Sequence, residues 1–132
     1  MILAFQKQFV DPILDGSKLH TIREDKPSRW KAGNKIHAAT GVRTPKYHCF
    51  FESKCVSTQS IEIKIGPLNK IEVLIDGNLF YRQTEEAITN IFHKKRMNKL
   101  AINDGFEDMH QFFKWFDTDF KGKIIHWTDL RY

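Results

Sequence analysis

The stretch IEIKIGPLNKIEVLIDGNLFY, residues 61–81, decides the fold class. Isoleucines at 61, 63 and 65 alternate with charged residues, and the same alternation returns over residues 71–75. A period of two places the apolar side chains on one face of a half-buried strand. Asp76-Gly77 is a turn signal typical of hairpins, after which the chain returns as a third strand. The stretch therefore predicts consecutive strands with one face against a core.

Helices are predicted on both sides of this stretch. A short helix ends near Gly16, and a second begins at Thr84 with Glu85 and Glu86 in its first turn. A third is indicated by apolar residues at i, i+3, i+4 and i+7, which are Met109, Phe112, Phe113 and Phe116. We predict an α+β domain of about six strands and two or three helices. Short strands separated by turns suit a small barrel or a strongly bent sheet.

Length and composition limit the class of protein. A chain of 132 residues suits a single domain over 1–132, and 41% hydrophobic residues with eleven phenylalanines exclude a disordered polymer. The net charge of +5 favours an anionic partner such as nucleic acid, although many basic proteins bind none. No apolar run approaches the roughly 20 residues that span a bilayer, so we expect no membrane association.

The two cysteines, Cys49 and Cys55, are too few for a secreted disulfide scaffold, and their spacing does not fit a zinc knuckle. We expect reduced thiols in a cytoplasmic protein. We expect no metal ion and no cofactor.

The run GSKLHTIR, residues 16–23, gathers the residues that can carry chemistry. Lys18 can act as a general base if burial or nearby cations lower its pKa, and Thr21 can act as a nucleophile. Arg23 can donate two hydrogen bonds to a phosphate or a carbonyl. Side chains at 18 and 21 point to opposite faces of a regular strand, so Lys18 must lie outside the strand to meet Thr21. For the same reason we treat His20 as peripheral.

Ordinary structural roles remain open for each of these residues. Lys18 can be a solvated turn lysine, Thr21 a strand residue satisfied by the backbone, and Arg23 the partner of Glu24 or Asp25 in a surface ion pair.

Three further features could serve a ligand. Trp30 is the lone aromatic residue in a polar loop and is our candidate for stacking on a base. The basic run His93 to Arg96 could contact phosphates or form a solvated helix face. Asp104, before Gly105, could end a helix.

Three segments resemble the ASCH domain, a relative of the PUA domain. They are FVDPILDGSKLHTIR (9–23), WKAGNKI (30–36) and AINDGF (101–106), and they occur in the family's order. The resemblance implies a PUA-like β-barrel flanked by helices, with a cleft beside the Gly-x-Lys-x-x-Thr-x-Arg element. It also implies binding of RNA or a modified nucleoside.

Some small bacterial members of that family are amidohydrolases that remove the acetyl group from N4-acetylcytidine with a lysine, a threonine and a glutamate. Lys18 and Thr21 match the first two, and Asp104, with a shorter side chain, lies at the position resembling the third, where the resemblance implies that it orients Lys18.

Three functions follow. The first is a module that binds RNA or a modified nucleoside through Lys18, Thr21 and Arg23. The second is a metal-independent amidohydrolase in which Lys18, Thr21 and Asp104 are catalytic. The third is an accessory protein whose segment from Trp127 to Tyr132 docks on a protein partner.

Overall fold

A computed structural model describes residues 1–84 and 91–132. Within them lie eight strands and three helices. The strands are β1 (Ile2–Ala4), β2 (His20–Arg23), β3 (Lys35–Thr40), β4 (His48–Lys54), β5 (Ser57–Ile65), β6 (Ile71–Ile75), β7 (Asn78–Gln83) and β8 (Phe120–His126). The helices are α1 (Val10–Leu14), preceded by a 3-10 turn over Lys7–Phe9, then α2 (Ile91–Asn103) and α3 (Met109–Trp115). The predicted α+β class is confirmed.

The alternating stretch forms three adjacent strands, β5, β6 and β7, of a five-stranded antiparallel sheet with the order β2-β8-β5-β6-β7. Ile63 of β5 pairs in register with Val73 of β6, and both side chains are fully buried. They pack with Leu100 of α2 and Phe112 of α3 in the first hydrophobic core. Lys64, between the isoleucines, is exposed. The period of two therefore sets the buried face of this sheet, as the sequence predicts.

The turn between β6 and β7 confirms the predicted hairpin. Asp76 and Gly77 have φ values of +51° and +80°, the left-handed region that a two-residue hairpin turn requires. The Asp76 carboxylate also accepts a hydrogen bond from the Ser60 amide at 3.0 Å. The predicted start of the second helix, with Glu85 and Glu86, lies outside the described residues.

A second, three-stranded sheet has the order β1-β3-β4, with β1 parallel to β3 and β4 antiparallel to it. It packs on α1 and the loop before β3 in a second core. Strand β8 serves both cores, because Ile124 packs into the first and its neighbour Ile125 into the second. This alternation holds the two sheets together and places β2, the neighbour of β8, beside α1.

In the described ranges, no helix is long and apolar enough to cross a bilayer. Both thiols are unpaired, with Cys49 half-buried and Cys55 buried. Burial raises the pKa of the Cys55 thiol above its ordinary value.

Candidate functional site

Lys18 lies in the connection between α1 and β2, outside either element. The chain leaves α1 through Gly16, whose φ of +84° turns it back over the helix. The Lys18 amide then donates to the Pro12 carbonyl at 2.9 Å, and the Leu19 amide donates to the Asn103 carbonyl at 2.7 Å. Because β2 begins only at His20, Lys18 lies outside the strand. This is the position that its side chain requires to reach the face of Thr21.

The Lys18 side chain is only 2% exposed, so it is not a solvated turn lysine. Its Nζ donates to the Asp104 carbonyl at 2.5 Å and lies 3.3 Å from Asp104 Oδ1. It also lies 4.9 Å from the centre of the Phe9 ring. Burial lowers the pKa of Lys18, Asp104 opposes that shift, and the nearby Arg23 adds to it. This is the direction that a general base requires.

Asp104 follows the last residue of α2 and combines the two roles that the sequence left open. Its amide donates to the Leu100 carbonyl at 2.9 Å, as expected where a helix ends. Its carboxylate is 3% exposed and faces both Lys18 and His20 Nδ1, the latter at 3.2 Å. The helix end therefore carries the carboxylate that orients the lysine.

Arg23 and Thr21 form a second pair on β2. Arg23 Nε donates to Thr21 Oγ1 at 3.1 Å, and its Nη2 donates to the Ala4 carbonyl at 2.6 Å. The guanidinium also lies over the Phe5 ring, 4.7 Å from its centre. The surface ion pair considered for Arg23 does not form with Asp25, which pairs with Lys123 at 3.1 Å instead.

These four residues line one pocket with a volume of about 370 Å³. The structure thus brings Asp104 together with Lys18, Thr21 and Arg23, although Asp104 lies 86 residues from Lys18 in the sequence. Within the part of the chain that the structure describes, no hydrogen bond joins Lys18 to Thr21. The pocket therefore holds two polar pairs side by side.

Aromatic side chains form the rest of the pocket wall, chiefly Phe9, Phe106, Trp115, Phe116 and Phe120. Trp115 is 46% exposed and packs edge-on against Phe9, with ring centres 5.6 Å apart. Sequence reasoning missed Trp115. A usable signal was present, because Trp115 falls outside the apolar stripe of its helix and so is not needed for the core.

Trp30 requires a correction. Its side chain is 7% exposed and belongs to the second core, and it does not line the pocket. The Asp25 carboxylate accepts hydrogen bonds from the Arg29 and Trp30 amides and thereby folds the polar loop back onto the sheet. The loop is polar, yet its one aromatic ring is buried, so we remove Trp30 from the candidate site.

His20 also requires a correction, because it is not peripheral. It is fully buried, with Nδ1 facing Asp104 and Nε2 at 2.6 Å from the hydroxyl of Tyr132. The alternation along β2 that turns His20 away from Thr21 turns it towards Asp104. No pattern in the sequence indicated that His20 would contact Asp104 at the end of α2.

Each of the two remaining features makes contacts within the fold through part of its residues. Arg96 Nε donates to the Phe80 carbonyl at 2.6 Å, which ties α2 to β7, while Lys94 and Lys95 are exposed. The segment after β8 returns to the larger sheet, where the Tyr132 amide donates to Gln59 Oε1 at 2.8 Å. Residues Trp127 to Tyr132 are half-buried or exposed, and their docking on a protein partner stays a prediction.

Comparison with known families, with curated proteins and with solved structures finds no match to this chain. The resemblance to the ASCH domain stays a prediction that rests on the three sequence segments.

Proposed function

We propose that the chain is an ASCH-type domain that binds a modified nucleoside in the pocket of Lys18, Thr21, Arg23 and Asp104. One observation carries this proposal: these four polar residues line a single pocket together with the half-exposed Trp115. A volume of about 370 Å³ lies within the range typical of small-molecule sites. We propose in addition that the two sheets, joined through β8, form the PUA-like β-barrel of that family.

The chemistry of the pocket suits a planar base. Trp115 offers an aromatic face for stacking, and stacking tolerates any base. The cations Lys18 and Arg23 can donate to a base or acyl carbonyl, and the Asp104 carboxylate can accept from an amino group. A base modified at its exocyclic amine presents both kinds of group on one edge.

The charges of the pocket favour a neutral ligand over a polyanion. Two cations, Lys18 and Arg23, are balanced by the carboxylates of Asp104 and Glu24, which also line the pocket. A strand of RNA would gain from a surplus of cations and would bind with a strong salt dependence. We therefore place a single nucleoside in the pocket and treat RNA as the alternative outcome of the experiment.

Calorimetry with cytidine, N4-acetylcytidine, cytidine monophosphate and a short RNA at two salt concentrations tests this function. We expect a modified nucleoside to bind with little salt dependence and Arg23→Ala to weaken it at least about tenfold, since charge-assisted hydrogen bonds contribute about 1.5–3 kcal/mol. Arg82→Ala is the matched control, because Arg82 pairs with Glu72 on the same sheet outside this pocket. Binding insensitive to Arg23→Ala would contradict the proposal, and a steep salt dependence would favour RNA.

A second candidate is a metal-independent amidohydrolase, favoured by the buried Lys18 beside Thr21. In this mechanism the neutral Lys18 amine takes the Thr21 proton while Thr21 Oγ1 bonds to the acyl carbon. The C–N bond then breaks, the amine leaves with that proton, and water hydrolyses the acyl-threonine to release the acid. Asp104 holds the lysine. Arg23 Nε donates a hydrogen bond to Thr21 Oγ1, so the Thr21 hydroxyl proton can still pass to Lys18.

Acetate release from N4-acetylcytidine tests this candidate. We expect Lys18→Ala and Thr21→Ala to abolish release and Asp104→Glu to retain part of it. The Lys18 amine must turn from Asp104 towards Thr21 during the reaction, because no hydrogen bond joins the two side chains in the described structure. If no acylated nucleoside is hydrolysed by the unaltered protein, binding alone remains.

A further inference from the structure

A buried chain of hydrogen bonds leads from Tyr132 to Lys18. Asn103 Nδ2 lies 3.0 Å from the Tyr132 hydroxyl, which lies 2.6 Å from His20 Nε2. His20 Nδ1 lies 3.2 Å from Asp104 Oδ1, and Lys18 Nζ approaches the same oxygen at 3.3 Å. The residue at one end of this chain lines the pocket, and the residue at the other end lies in the segment that follows β8.

The donors and acceptors of this chain fix its direction. Asn103 Nδ2 can only donate, so the Tyr132 oxygen accepts and its own proton points to His20 Nε2. A carboxylate oxygen can only accept, so His20 Nδ1 carries the ring proton. Every bond is then satisfied by the neutral Nδ1–H tautomer of His20, which we assign on these grounds.

Burial keeps this histidine neutral. His20 is fully buried, and burial lowers its pKa below the ordinary value. The groups that face it are the Asp104 carboxylate, the Lys18 ammonium, the Tyr132 hydroxyl and the ring of His126, whose centre is 5.2 Å away. A neutral ring can donate to Asp104 without adding a second cation beside Lys18.

We propose that His20 and Tyr132 are positioning residues, which hold the Asp104 carboxylate and through it Lys18 in place at the pocket. This inference rests on the proposed function of the pocket. His20 does not line the cavity, so it acts on a ligand only through Asp104.

The reason lies in the shared oxygen. Asp104 Oδ1 accepts from both His20 and Lys18, so the histidine proton draws away part of the charge that would otherwise attract the lysine ammonium. It also holds the carboxylate in one orientation at the pocket that Asp104 lines. His20 thereby keeps Lys18 less strongly paired and more easily available to a ligand carbonyl or to Thr21.

Nuclear magnetic resonance of the ligand-free protein tests the chain directly. Ring nitrogen shifts report the His20 tautomer, and the Lys18 ε-carbon reports its titration. His20→Leu keeps the volume but removes the donor, while His20→Asn keeps an amide donor near the position of Nδ1. Tyr132→Phe removes the hydroxyl that donates to Nε2. Tyr81→Phe is the matched control, because the buried Tyr81 hydroxyl bonds Gln83 in the same sheet.

We expect the Nδ1–H tautomer in the unaltered protein and also in Tyr132→Phe, because Asp104 still accepts from Nδ1. The Nε2 signal should shift in Tyr132→Phe, because its hydrogen-bond donor is lost. The pKa of Lys18 should rise in His20→Leu, change little in His20→Asn and stay unchanged in Tyr81→Phe, because only the first variant leaves Asp104 Oδ1 to Lys18 alone. An Nε2–H tautomer, or equal Lys18 titrations in the Leu and Asn variants, would overturn the proposal. If His20→Leu does not fold, the Tyr132→Phe variant tests the proposal by itself. Unchanged His20 and Lys18 signals in that variant would then overturn the proposal.

Calorimetry separates this proposal from the function on which it rests. We expect His20→Leu to weaken nucleoside binding about tenfold and His20→Asn to restore most of it. If the unaltered protein binds no nucleoside while the resonance results hold, the proposed function fails and the positioning chain stands. If nucleoside binds equally to all variants and Lys18 titrates alike in them, the positioning chain fails and the function stands.

Discussion

The aliphatic part of Lys18 crosses Gly105 so closely that a β-carbon on Gly105 would lie 2.9 Å from Lys18 Cδ. The same glycine has a φ of +94°, a left-handed conformation that ends the turn after α2. Gly105 therefore does two things: it ends the helix, and it leaves room for the lysine to reach Asp104. The Asp104-Gly105 pair, where the sequence predicts a helix end, therefore also packs against the Lys18 side chain.

Gly105→Ala should destabilise the protein and displace Lys18. The left-handed φ costs an alanine about 1–2 kcal/mol, and the collision with the lysine adds to that cost. Gly33→Ala is the matched control, since Gly33 has the same φ of +94° but nothing within 4 Å of its missing β-carbon. Urea unfolding should show a larger loss at Gly105 than at Gly33. Equal losses would mean that Lys18 gives way freely.

Lys18 and Asp104 should be strongly coupled in stability. Asp104→Asn leaves a buried ammonium without its carboxylate, and breaking such a pair costs about 3–5 kcal/mol. Lys18→Met keeps the length of the side chain without its charge, so the double variant should be less destabilised than the two single variants together. Urea unfolding of the four proteins measures this coupling, which we expect to be about 1–3 kcal/mol. Additive losses would show that the two charges do not depend on each other.

Acid should destabilise the protein through His126. This side chain is fully buried, and burial, with smaller contributions from His20 and Arg131, lowers its pKa from 6.5 to about 3. In the unfolded chain His126 binds a proton below about pH 6.5, whereas in the folded protein it stays neutral down to about pH 3. The free energy of unfolding should therefore fall as the pH drops below about 6.5, by up to about 1.4 kcal/mol per pH unit for this group.

His126→Gln checks this dependence, because a glutamine amide can replace Nε2 as donor to Gln59 Oε1. Urea unfolding between pH 4.5 and 7.5 should show a shallower slope for this variant, the remaining slope coming in part from His20. His48→Gln, which replaces an exposed histidine, is the control and should keep the full slope. A full slope in His126→Gln would show that this histidine is protonated equally in both states.

Trp115 should be the stacking residue of the pocket. If a base lies against it, Trp115→Ala should weaken nucleoside binding by about 1–3 kcal/mol, and Trp115→Phe by less. Quenching of tryptophan fluorescence by the bound nucleoside should disappear in Trp115→Phe and persist in Trp30→Phe, since Trp30 lies in the second core. Undiminished quenching without Trp115 would place the base elsewhere.

The sequence by itself determined the strands around Ile63, the hairpin at Asp76-Gly77 and the grouping of Lys18, Thr21 and Arg23. These features depend on local spacing, turn chemistry and the period of two, which neighbouring residues encode. It also identified Asp104, through a family resemblance that no comparison tests.

Only the tertiary structure decided which residues lie beside Lys18, Thr21 and Arg23. Asp104, which follows α2, lies 86 residues from Lys18 along the chain, and no local pattern indicates that it packs against the turn before β2. Packing likewise buried Trp30, left Trp115 at the pocket and brought His20 to Asp104 and Tyr132. Which side chains share a cavity depends on how the helices and sheets pack, because burial is a property of the whole core and not of any one segment.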